Sequence, residues 1–152
     1  MDETRSPEEW HRKFAVDLFN FTWSLLDKED RTREEDDRMI HATHASRFHW
    51  GEVGTPLNFE RGEWQISRVY SVLRRGEAAL HHARRCLEIC RENEIGDLDT
   101  AFAYEAMARA NSVLDRKDEC VEYLEFAKKV GAEIEDDGNR DYFFGELKTI
   151  RC

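Results

Sequence analysis

The sequence predicts an all-α protein of about seven antiparallel helices wound as a short α-α superhelix. Three observations carry that prediction. Arg68-Val69-Tyr70-Ser71-Val72-Leu73-Arg74-Arg75 returns 41 residues later as Arg109-Ala110-Asn111-Ser112-Val113-Leu114-Asp115-Arg116, with five identities in eight. Each copy is followed by a polar turn and a second helical stretch, so one supersecondary unit is stacked at least twice. The composition, 37% charged and 40% apolar with two prolines and eight glycines, suits helices and argues against disorder and against an all-β fold. Apolar residues recur every three to four positions in most of the chain.

Taken in order, the first helix runs from about Pro7 to Leu26. Ser6 is its N-cap, Pro7 its first residue, and Glu9 completes a capping box. It carries two apolar stripes: Trp10, Phe14, Leu18, Phe21 and Leu25, then Ala15, Phe19, Trp23 and Leu26. One stripe suffices for burial at the end of a stack, so the second predicts self-association, with Phe19 and Trp23 as contact residues. The second helix, about Arg33 to Trp50, opens in an acidic turn that suits the positive end of the helix dipole. Gly51, Gly54 and Thr55-Pro56 break the chain before a third helix, about Pro56 to Leu73. A fourth runs from about Glu77 to Asn93, a fifth from Leu98 to Leu114, a sixth from Asp118 to Ile134. A short last helix carries Tyr142, Phe143, Phe144, Leu147 and Ile150. The expected organisation is one domain over 1–152: a helical hairpin (1–55), two repeat-like helix pairs (56–134) and a capping helix (135–152).

Charge narrows the partners. The formal net charge is −10, yet residues 61–91 hold seven arginines against three glutamates. An acidic chain is a poor general binder of nucleic acid, and no apolar run reaches bilayer length, so neither nucleic acid nor membrane is expected. The arginine-rich centre suits an acidic peptide or protein segment, a small anion or a second copy of the chain. Met1-Asp2-Glu3-Thr4-Arg5 is not a signal peptide, and Cys86, Cys90, Cys120 and Cys152 form no C-x-x-C pair. The expectation is a cytoplasmic protein whose reduced thiols pack as small hydrophobes.

The repeat resembles a tetratricopeptide repeat. The residues that carry the likeness are Tyr70, Leu73, Ala79-Leu80, Ala83 and Cys86-Leu87, and again Tyr104, Met107-Ala108, Leu114, Cys120-Val121, Leu124 and Ala127. The match covers about residues 60–130, with a period longer than the family's 34 residues. Ser67 and Arg74, or Ala108 and Asp115, stand where the family has glycine. The chain is also similar to small, uncharacterised bacterial proteins of that architecture, a likeness that implies no activity. The resemblance implies a groove lined by the first helix of each pair: Arg61, Trp64, Arg68 and Ser71, then Phe102, Glu105, Arg109 and Ser112. Arg68 and Arg109 fill the same slot in the two copies. Their guanidinium groups either face a ligand carboxylate or phosphate, with Trp64 adding an apolar contact, or pair with acids such as Glu105 and Glu63. The functional expectation is a protein-interaction module that docks an acidic segment in this groove and forms a homodimer.

Two stripes carry metal-ligand residue types. Asp37, His41 and His44 lie on one face of the second helix, with spacing that presents two nitrogens and an oxygen to one ion. His82, Cys86 and Cys90 lie four residues apart, but three ligands on one straight helix do not close around an ion, and Cys86 occupies a core slot. With no phosphate-binding glycine loop and no nucleophile–base pair, the sequence predicts no cofactor and no enzyme. The competing reading is a metal-dependent enzyme or small-ligand sensor built on Asp37, His41 and His44.

Overall fold

A computed structural model describes residues 4–152. Among them are seven helices: α1 (Pro7–Leu26), α2 (Arg33–Val53), α3 (Pro56–Val72), α4 (Gly76–Glu92), α5 (Asp97–Val113), α6 (Lys117–Gly131) and α7 (Asp137–Leu147). Local chemistry sets the ends. Ser6 and Thr32 each accept from the backbone of the residue three on, and Glu9 and Glu35 return the bond, giving two capping boxes. Pro7 and Pro56 start helices that need no N–H at that position. α2 passes through Gly51 and stops at Val53, because the turn of Gly54, Thr55 and Pro56 comes later than the first glycine.

The helices pack as consecutive antiparallel pairs, α1 with α2, α3 with α4 and α5 with α6. A second set of contacts joins α1 to α3, α3 to α5 and α5 to α7, so these four helices share one layer. Among the described residues no such contact joins α2 to α4 or α4 to α6, which places those helices apart on the opposite layer. The largest core cluster lies between α3, α4 and α5, around Leu80, Cys86, Leu87, Cys90 and Met107. A second one, around Phe143 and Ile134, seats α7 against α5 and α6. Gly131 makes that seat, since a Cβ there would lie 2.4 Å from the Phe143 ring.

The two copies of the sequence motif end α3 and α5 in the same way. At the end of α3, Arg74 takes a left-handed conformation (φ 64°), and the Arg75 N–H reaches back to the Tyr70 carbonyl at 2.8 Å. At the end of α5, Asp115 (φ 56°) and the Arg116 N–H to Asn111 bond at 2.9 Å repeat the turn. Both are left-handed helix stops that favour glycine, which has no Cβ to clash. Asp115 is exposed, so Asp115→Gly removes backbone strain without removing a contact. It is expected to raise unfolding stability by about 0.5–1 kcal/mol, checked by urea titration; a loss of stability would show the turn to be unstrained.

The cysteines differ from the sequence expectation. Cys86 and Cys90 are free and buried, but Cys120 and Cys152 form a disulfide. After α7 the tail runs back along α5, where Ser112 Oγ donates to the Arg151 carbonyl at 2.6 Å, and this course carries Cys152 to α6. The cysteines therefore no longer argue for a reducing compartment. No described helix is long and apolar enough to cross a membrane.

Candidate metal centre and its aromatic pocket

Of the eight residues named above for a groove, Trp64, Arg68, Glu105 and Arg109 meet one another. Glu105 is fully buried in the middle of them. Its Oε1 accepts from Trp64 Nε1 at 3.0 Å, and its Oε2 accepts from Arg68 Nη2 at 3.3 Å and Arg109 Nε at 2.6 Å. The two equivalent arginines do lie on one carboxylate, and that carboxylate belongs to the chain. Arg68 also reaches Glu146 Oε1 at 3.0 Å, and Arg109 reaches the Glu146 carbonyl and Thr149 Oγ1, so α7 and the tail cover this stretch of α3 and α5. Ser112 holds the tail at Arg151, while Ser71 is buried with no partner for its Oγ. Arg61 makes a two-pronged bond to Asp99, at 2.8 and 3.0 Å.

Phe19 and Trp23 sit against this same layer. Trp23 stacks on Trp64 at 5.7 Å, and Trp64 meets Phe102 edge-on at 5.7 Å. Phe102 lies 5.9 Å from Tyr142 of α7. These rings, with Phe19 and Leu98, wall a largely apolar pocket of about 200 Å³ whose polar residues are Glu60, Arg61 and Asp99. The second stripe of α1 thus faces α3 and this pocket.

Behind Glu60 lies the one group among the described residues that brings three metal-ligand side chains together: Glu60, Cys86 and Cys90, all buried, with donor atoms within 4.8 Å of one another. The helix geometry explains it. Cys86 and Cys90 are one turn apart on α4, so both sulfurs face α3, where Glu60 meets them. Cys86 Sγ is 3.4 Å and Cys90 Sγ 3.3 Å from Glu60 Oε2, and both thiols donate to it. Zinc bonds of about 2.3 Å to sulfur and about 2.1 Å to oxygen, at a tetrahedral angle, separate donors by about 3.6 Å. The two sulfur–oxygen distances are therefore close to those of a zinc-class site.

The electrostatics are those of a site filled with protons. Burial pushes the Glu60 carboxyl up to about 11, aided by the negative charge of neighbouring Asp99. Glu60 Oε1 receives no hydrogen bond, and Arg61 Nε stays 3.9 Å away. Burial also pushes Asp99 up, but the Arg61 fork outweighs it and holds Asp99 below its usual range. The Cys86 thiol moves well up through its neighbour Cys90 and its own burial; Cys90 moves down through the same neighbour, against its burial. An orphaned carboxyl oxygen beside two thiols is an expensive arrangement for a protein core, and a bound cation relieves it by replacing the protons.

The finding overturns the expectation that the chain holds no constellation capable of enzyme chemistry. The sequence reasoning failed at a definite point: it looked for a third ligand on the helix that carries the cysteines, and the third ligand comes from α3. His82 turns away instead, with Nδ1 2.7 Å from Glu63 Oε1, while Arg47 Nε holds Glu63 Oε2 at 2.9 Å. The other stripe is not brought together as a ligand group: Asp37 and His41 are exposed, and His44 Nε2 bonds Tyr70 OH at 2.8 Å. One signal in the sequence did point at Glu60. It sits two turns before Ser67 on the core-facing side of α3, where an acid has no reason to be unless something pairs with it.

No family model, curated protein or solved structure matches this chain. What is shown is an all-α protein of seven described helices packed in sequence, with no family established.

Proposed function

We propose that the chain is a metal-dependent protein that acts on, or senses, a small and largely apolar molecule held in the Trp23–Trp64–Phe102–Tyr142 pocket. The observation that carries this reading is the Glu60, Cys86 and Cys90 triad, whose carboxylate lines that pocket while its sulfurs lie behind it. Two thiolates and a carboxylate favour a thiophilic divalent ion of the zinc class over magnesium or calcium. Glu60, Cys86 and Cys90 would hold such an ion beside the pocket with three protein ligands, the number found in catalytic rather than structural zinc sites. Such an ion supplies Lewis acidity to a polar group of the ligand.

The chain's own residues do the rest. The aromatic walls exclude water and orient a flat, apolar body. Asp99, fixed by the Arg61 fork, presents a carboxylate at the polar end of the pocket, placed to accept a proton or a hydrogen bond. The volume suits a small molecule and is too small for a folded segment. Within this reading the fold is a tetratricopeptide-like stack; the same left-handed stop at Arg74 and Asp115 supports it.

Cobalt(II) is the direct test, because thiolate ligands give it an intense near-ultraviolet charge-transfer band and tetrahedral geometry gives strong visible bands. Titration of the metal-free protein with its Cys120–Cys152 disulfide intact is expected to saturate near one cobalt per chain, with zinc displacing it. Cys86→Ser and Cys90→Ser each remove the charge-transfer band. Absence of that band in the parent protein, with its helicity intact, would reject the metal centre.

A further inference from the structure

A second cavity, of about 410 Å³, opens at the far end of the α3–α5 layer. Four guanidinium groups line it: Arg68 and Arg74 from α3 and its stop, Arg109 from α5, and Arg151 from the tail. Arg68 and Arg109 are committed to Glu105 and Glu146, as described above. Arg74 and Arg151 have no acidic partner among the described residues. The lining thus carries an excess of two positive charges over the two carboxylates that its paired arginines share. Ser71, only 5% exposed, lines the same cavity and its Oγ has no partner.

One wall is a strap. Thr149, Ile150 and Arg151 follow α7, and their course is held by Arg109 Nη2 donating to Thr149 Oγ1 at 2.9 Å and by Ser112 Oγ donating to the Arg151 carbonyl at 2.6 Å. The disulfide from Cys152 to Cys120 anchors the strap just beyond Arg151. It ties the residue after Arg151 directly to α6.

We propose that this cavity binds a small phosphate monoester, with Arg74 and Arg151 as its charged clamp and the disulfide holding Arg151 in place. A dianion matches the surplus of charge, and planar guanidinium donors match phosphate oxygens two at a time. The hydroxyl of Ser71 supplies a further donor to a phosphate oxygen. The volume leaves room for a small organic group beyond the phosphate. The site shares no residue with the metal triad, so either reading stands or falls without the other.

Titration calorimetry with phenyl phosphate and with inorganic phosphate, in a chloride buffer of low ionic strength, tests it. Both bind the disulfide-bonded protein, and the ester binds more tightly. Arg74→Gln with Arg151→Gln weakens both by at least about tenfold, the loss of two charge-assisted contacts. Cys152→Ser, which changes no charge at the site, weakens them by about tenfold as well by releasing the strap. Cys86→Ser leaves phosphate binding unchanged. No heat at millimolar phosphate, or equal affinity in the arginine double variant, overturns the site; equal affinity in Cys152→Ser overturns the strap.

Discussion

Replacing Glu60 by Gln raises the stability of the metal-free protein at neutral pH and abolishes its metal binding. The sign follows from where the proton sits. In the folded chain burial keeps the Glu60 carboxyl protonated up to about pH 11, whereas the unfolded chain releases that proton above about pH 4.5. The unfolded state therefore binds fewer protons throughout that window, and stability falls as pH rises from 4.5 toward 11. At pH 7 the cost is about 3 kcal/mol, a large part of the margin of an ordinary domain. Gln is neutral at every pH and keeps the shape, with its oxygen free to accept from Cys86 and Cys90 where Glu60 Oε2 does. Urea unfolding of metal-free protein at pH 4.5, 7 and 8.5 checks this. The advantage of the Gln variant grows from nearly nothing to several kcal/mol across the series, as the integrated proton linkage requires. A difference that does not change with pH would show Glu60 ionised in the fold. Zinc reverses the ranking, because only the parent protein gains by binding it.

Glu105→Ala has the opposite effect and is among the most damaging single changes the fold offers. It strips the shared acceptor from Trp64, Arg68 and Arg109 at once. Both guanidinium groups are mostly buried, at 16% side-chain exposure, so neither recovers its hydration in place. Breaking one side of a buried ion pair costs about 3–5 kcal/mol, and here Glu146 remains as a partial partner for Arg68. Equilibrium unfolding is expected to show a loss near the lower end of that range, with Glu105→Gln intermediate because it keeps an acceptor. A loss below about 1 kcal/mol would mean that solvent screens the network as it screens a surface pair.

The two glutamates show how a polar group at a core position decides what a helical stack is for. Glu105 is satisfied by three donors and serves as an internal anchor. Glu60 meets two thiols and keeps one carboxyl oxygen without a partner, the feature on which the proposed metal centre rests. Both lie on the face that an amphipathic helix turns inward, where acids are rare unless paired.

How much of this was legible in the residues depends on how far apart in the chain the interacting groups are. The capping boxes of Ser6 and Glu9, the prolines at 7 and 56 and the 41-residue repeat act within a turn or within one supersecondary unit. They gave the all-α class, the seven helices and most of their ends. The repeat also equated Arg68 with Arg109, and the two do share one carboxylate. That the carboxylate is Glu105, with α7 and the tail laid over it, required knowing where the last 16 residues go. The disulfide was hidden for the same reason: Cys152 reaches Cys120 only because the tail reverses along α5.

By itself, then, the sequence determined the helices, their pairing and the equivalence of two arginines, since short-range geometry and periodic burial are written locally. Only the tertiary structure decided which acid faces which donor. Cys86 and Cys90 display two ligands from one helix, but closing a site around an ion needs a side chain from another direction. Which of α3's residues reaches α4 is settled by helix packing, an interaction between segments some 26–30 residues apart. Packing put Glu60 there, and with it the strongest functional feature of the molecule.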